Sequence, residues 1–266
     1  MGRPRFRFGA SIWGFYGRRR AEEWPTLADA VRSILSVDPA LGVEVWASKA
    51  LDAPGAAASE IDALRVACED AASVTVHARG IYWNWNPGNL RDEIDFAHFL
   101  GAKTLVLHPV CLGLRVPDDR IDVPEIRRLA DHAAARDVLL AVENVRDSME
   151  ILDRVLDEIG DCPDRTNLGV CIDVGHAHMS RDAGREPVPN YLDRYAGQLT
   201  HVHLHDNDGA ADDHLVPGEG TIDWARVVRR LDEIGFEGTA VLEVHSFGTS
   251  VPEGLKRGLA LFESLM

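Results

Sequence analysis

Several things are scarce in this 266-residue chain, and each scarcity removes a class of protein. No apolar run approaches the roughly 20 residues that a membrane-spanning helix needs. The start, MGRPRFRFGASIW, is basic, but it runs into a short strand-like segment rather than the longer apolar region and small-residue cleavage site of a signal peptide. Together these point to a cytoplasmic protein with no membrane partner. Cysteine is limited to Cys68, Cys111, Cys162 and Cys171, scattered and without a CxxC pair. They read as reduced thiols rather than a disulfide framework. Basic residues are outnumbered, 28 Lys and Arg against 43 Asp and Glu, for a formal charge of −15. The densest basic run is Arg18-Arg19-Arg20, so nucleic acid is disfavoured as a partner. A Gly-rich phosphate loop after the first strand is also missing, because GASIWGFYG does not have that pattern.

What the chain does have is alternation. Short β-branched runs (RFGASIW, GVEVWA, SVTVHA, KTLVLHP, VLLAVEN, LGVCIDVGH, THVHLHD and TAVLEVHS) alternate with longer amphipathic stretches such as EIDALRVACEDAA, EIRRLADHAAARD and WARVVRRLDEIGF. The latter carry apolar residues at three- and four-residue spacing. Asn89 and Ser148 stand where helix caps are expected. Continuous apolar strands separated by helices predict a parallel sheet covered on both faces. Eight units in 266 residues fit a single (β/α)₈ TIM barrel spanning residues 1–266.

In such a barrel the chemistry sits where strands end. The third to eighth strands finish in His77, His108, Glu143, Asp173 with His176, His203 with His205 and Asp206, and Glu243 with His245. The loop ADDHLVPGEG adds Asp212, Asp213 and His214. A lone strand-end His, or one Glu capping a helix, would be unremarked. Several carboxylates gathered in one barrel mouth would repel each other unless cations offset them, and Arg79 and Arg115 are too few for that. The mixture of carboxylate and imidazole suits Zn, Mn, Fe or Co rather than Mg or Ca. In THVHLHD, His201, His203 and His205 share one face, and spacing alone does not choose between His203 and His205, nor between Glu243 and His245.

The segments AVENV, GVCIDVGHAH, HVHLHDN, DDHLVPGEGTIDW and LEVHS, in this order, resemble the xylose isomerase-like superfamily of barrels, which holds sugar epimerases and endonuclease IV. The resemblance to the epimerases implies one divalent ion held by Glu143, Asp173, His203 and Glu243, with His176 contacting a small sugar-like substrate. The resemblance to endonuclease IV implies up to three ions on His77, His108, Glu143, Asp173, His176, His203, Asp212, His214 and Glu243. The expected activity is a metal-dependent sugar or sugar phosphate isomerase or epimerase. Glu143 and Glu243 then pass a proton through an enediolate. The alternative is a multinuclear zinc phosphoester hydrolase, and a related lyase or dehydratase is a third reading. Tyr82, Trp83 and Trp85 are candidates for an apolar wall against a sugar ring. A homo-oligomer is left open.

Overall fold

The computed structural model describes residues 5–16, 25–52, 56–79, 86–116, 119–160, 167–245 and 250–266. Within them lie eight strands: β1 (Arg7–Ser11), β2 (Gly42–Trp46), β3 (Val74–His77), β4 (Thr104–Leu107), β5 (Leu139–Glu143), β6 (Leu168–Asp173), β7 (Leu199–Leu204) and β8 (Thr239–Leu242). All pair in parallel in sequence order, and β8 closes on β1, giving the expected closed (β/α)₈ barrel.

Outside the barrel run α1 (Trp13–Tyr16), α2 (Leu27–Leu35), α3 (Ala47–Leu51), α4 (Ala58–Cys68), α5 (Pro87–Phe99), α6 (Val123–Ala134), α7 (Met149–Gly160), α8 (Val174–Met179), α9 (Pro187–Arg194), α10 (Trp224–Glu233) and α11 (Val251–Leu265). Among the described residues no helix is long and apolar enough to cross a membrane. The start of α5 differs from expectation. Its cap is Asn86, whose side chain accepts from the Gly88 N–H, and Pro87 follows in the first turn. Proline suits that position because its fixed φ is already helical and its missing N–H would go unpaired there; Asn89 therefore lies inside the helix. Ser148 does directly precede α7, with its hydroxyl bonded to both backbone groups of Val145.

The main core fills the space between strands and helices, while a separate small cluster of Val106, Ala141 and Cys171 plugs the barrel interior. Side chains alternate across a strand. Ala141 and Glu143 therefore share one face of β5, and Cys171 and Asp173 share one face of β6. A residue that plugs the interior thus stands two positions before each of these two carboxylates. The β6–β7 register shifts between Val170 and Cys171, so that Cys171 pairs with His201 and Asp173 with His203. Irregularities of this kind re-aim side chains beside functional sites.

A candidate metal centre at the barrel mouth

Glu143 sits at the middle of the mouth and is almost completely buried. One of its oxygens, Oε2, lies 3.1 Å from His77 Nε2 and 3.2 Å from His108 Nε2. The other, Oε1, lies 3.3 Å from His176 Nδ1 and 3.5 Å from His203 Nδ1. A single carboxylate thus faces two sets of imidazoles.

His203 Nδ1 is surrounded by carboxylates, with Asp173 Oδ2 at 3.8 Å and Glu243 Oε2 at 3.6 Å in addition to Glu143. Among the described residues His203 Nδ1 and Glu243 Oε1 are buried without a hydrogen-bond partner. Buried polar atoms are nearly always paired, so these two are a cost that a bound cation would remove. Asp173, His203 and Glu243 each offer a donor atom within 4.8 Å of the others, as do Glu143, Asp173 and His176, and His77, His108 and Glu143. The residues present therefore fit a divalent ion.

A fourth group, His176, His205, Asp212 and His214, is equally compact. His205 is its unexpected member. Its Nε2 is 3.0 Å from Asp173 Oδ1, and its ring stacks on His214 with centroids 3.9 Å apart. Both His203 and His205 therefore reach the mouth. Alternation gave them a common face, but only the depth of β7 in the barrel brings both within reach. A Cβ at Gly175 would collide with the His205 ring, so the DVGH turn needs glycine there. His245 stands apart from the donor sets and accepts a hydrogen bond from Trp13 Nε1 at 2.8 Å.

The loop carrying Asp212 and His214 is organised by Asp206. Its fully buried carboxylate accepts from the backbone N–H groups of Asn207, Gly218 and Ile222 and from Trp224 Nε1. Asp206 is thus a loop clamp rather than a donor to the mouth. His214 takes a positive φ of 48°, rare for a side chain of its size, and its Nδ1 bonds the Glu243 carbonyl oxygen. Arg79 is turned away and pairs with Glu93, while the Arg115 N–H donates to Asp119. Tyr82, Trp83 and Trp85 lie outside the described residues. An aromatic column that sequence reading passed over does flank the mouth: Trp13 stacks on Trp46, which stacks on His77.

The charges are strongly coupled. Burial alone would push the acids up and the imidazoles down. Opposing that burial, the His108 and His203 charges hold Glu143 well below the usual carboxylate range. His176 and His205 likewise depress Asp173. Against the pull of burial, His203 is raised well above an ordinary imidazole by the charges of Glu44, Glu143 and Glu243. Asp212, Glu243 and Asp173 lift His214 to about 9. Without a metal ion, imidazolium protons balance the carboxylates. Bound cations would have to displace those protons.

Residues 39–265 match the profile of the xylose isomerase-like TIM barrel family. The chain belongs to that family. Among curated relatives, an uncharacterised protein of Methanocaldococcus jannaschii is 30% identical over 58% of this chain and 55% of its own length. One of Mycobacterium leprae is 32% identical over 69% and 70%. The fructoselysine 3-epimerase of Shigella flexneri is 34% identical over 30% of each chain. The chain spans about half the length of the first curated relatives it matches, 55% and 47%. Two solved structures share the fold across nearly the whole chain. A D-tagatose 3-epimerase-like protein has a TM-score of 0.70, 21% identity and coverage of 98% and 97%. The 3-keto-D-glucoside 4-epimerase of E. coli has a TM-score of 0.72, 16% identity and coverage of 97% and 99%.

Proposed function

We propose that the protein is a divalent-metal-dependent sugar isomerase or epimerase. The observation that carries this reading is the placement of one buried imidazole nitrogen, His203 Nδ1, among the carboxylates of Glu143, Asp173 and Glu243. The epimerase names among the relatives support it. These four residues would hold the ion. When bound, the ion would polarise the substrate carbonyl and stabilise the negative charge that develops on its oxygen.

The chain's own residues do the rest. Glu143 ends β5 and Glu243 directly follows β8, on either side of β6 and β7, so they can approach a sugar carbon from two sides. One removes the proton next to the carbonyl and the other returns it, giving an enediolate between the two steps. His176, 3.3 Å from Glu143, would hold a substrate hydroxyl. Trp13, half-buried at the start of α1, would offer an apolar face to the sugar ring.

A ketohexose incubated with the metal-loaded protein in D₂O should take up deuterium at a carbon adjacent to the carbonyl. Glu143→Gln and Glu243→Gln should each slow that exchange by about 10²–10⁴-fold. Wild-type exchange rates in both variants would refute the assignment. A second reading, the multinuclear phosphoester hydrolase, draws on the His77–His108–Glu143 and His176–His205–Asp212–His214 groups, which make room for up to three ions. Elemental analysis of protein purified without chelators separates the two. One ion per chain favours the isomerase, and two or three Zn with phosphodiesterase activity favour the hydrolase.

A further inference from the structure

One layer below the mouth, a carboxylate lies where the strand pattern calls for an apolar residue. Glu44 is the middle residue of β2 and is completely buried. Its backbone pairs with Ser11 on β1 and with Thr75 on β3, two residues before the strand-end His77. The side chain crosses the barrel interior to β7, where Oε2 meets His203 Nε2 at 3.0 Å. His201 Nε2 lies 3.2 Å from the same oxygen, and Oε1 has no hydrogen-bond partner among the described residues. Removing an ionised carboxylate from water costs several kcal/mol, and apolar residues of similar volume usually stabilise such a place better. A stability role alone is therefore a poor reason for an acid in this position.

The two nitrogens of His203 divide between two partners. Nε2 lies 3.0 Å from Glu44 Oε2, and Nδ1 faces Glu143, Asp173 and Glu243 at 3.5, 3.8 and 3.6 Å. We propose that Glu44 is a positioning residue. It accepts the Nε2–H of His203 and thereby fixes both the tautomer and the ring plane that present Nδ1 to the metal-binding carboxylates. Glu44 touches neither substrate nor ion and acts only through His203. A carboxylate behind a ligating imidazole also makes that imidazole a stronger donor, and losing such a partner typically weakens metal binding by about 10–100-fold. His201 Nε2, 3.2 Å from the same Glu44 oxygen, is a second neighbour in this arrangement.

This inference rests on the metal-binding part of the proposed function and not on the identity of the substrate. The test compares wild type, Glu44→Gln and Glu44→Leu by Zn²⁺ affinity in chelator competition and by the thermal midpoint of the metal-free protein. A ¹⁵N–¹H histidine correlation on the Zn²⁺-loaded protein, assigned with His203→Gln, adds the tautomer. The expected result is a His203 Nε2–H signal in wild type that moves upfield in Glu44→Gln. Zn²⁺ binding should weaken by about 10-fold or more in Glu44→Gln, and further in Glu44→Leu. A proton on Nδ1, or unchanged Zn²⁺ affinity in both variants, overturns the positioning role. A fall in the thermal midpoint with unchanged affinity assigns Glu44 to stability instead. A wild-type protein that binds no Zn²⁺ overturns the metal reading itself, so the two failures are distinguishable.

Discussion

The donors at the mouth come from two kinds of backbone. Glu143, Asp173, His203 and Glu243 sit within one residue of the ends of adjacent strands, with 2% exposure or less, and are held by the ladder that joins β5 to β8. Asp212 and His214 sit on a loop held by the buried Asp206 carboxylate, and the Asp212 side chain is 41% exposed. The strand-borne set is fixed by the same hydrogen bonds that make the barrel. The loop-borne set depends on the Asp206 side chain, on the two backbone bonds between Asp206 and Leu215 and on a strained backbone at His214. Rigid placement and adjustable placement thus meet at His176, which lies 3.3 Å from Glu143 and 3.3 Å from Asp212.

The largest effect should come from breaking the strand-borne set: the glutamine variants at Glu143 and Glu243 should lose catalysis by about 10²–10⁴-fold while the fold survives. Asp206→Ala should strike the other set. It leaves buried donors on Asn207, Ile222 and Trp224 unsatisfied, at about 1–3 kcal/mol each. Calorimetry should show a clear drop in Tm, and metal analysis should show loss of any loop-borne ion with the strand-borne ion retained. Loss of both ions together would mean that the two sets are a single cooperative unit. Gly175→Ala should be milder, costing about 1–3 kcal/mol as the His205 ring is displaced, read by denaturant titration. The His214→Ala variant should lower metal content only if the loop-borne group is occupied, and should leave affinity at the Asp173–His203–Glu243 group nearly unchanged.

The smallest effect is in the pH dependence of the metal-free protein. His214 has its folded pKa raised from 6.5 to about 9 by Asp212, Glu243 and Asp173, against the opposing pull of burial. Its stabilising contribution is therefore complete below about 6.5 and lost as pH rises through about 9. Glu143 and Asp173 have folded pKa values below their ordinary 4.5 and 3.8, so their contribution is present above those values and lost as pH falls. Thermal melts should show both limbs in chelator-treated protein. With Zn²⁺ bound, the alkaline limb should disappear, because the ion replaces the imidazole protons.

Strand order, the helix faces and the strand-end donors were legible because each follows from a local period of two or 3.6 residues. The extra reach of His205 was not, since alternation assigns a face without assigning a depth. Asp206 read as one more polar strand end, and its partners Gly218, Ile222 and Trp224 are 12 to 18 residues away along the chain. Glu44 carried a signal that went unused: an acid at the centre of GVEVW, on the inward face two residues before Trp46.

By itself, then, the sequence determined a parallel barrel and a mouth rich in His, Asp and Glu. Hydrophobic periodicity and the position of a residue along its strand are local properties, and the order of residues encodes them directly. The closure of β8 on β1 and the stagger between β6 and β7 were decided in three dimensions. So was the reach of Glu44 across the interior to His203, residues that stand 159 positions apart. Such pairings depend on how far each strand is shifted against its neighbour. That shift is set by packing the whole barrel at once and by no single segment of it.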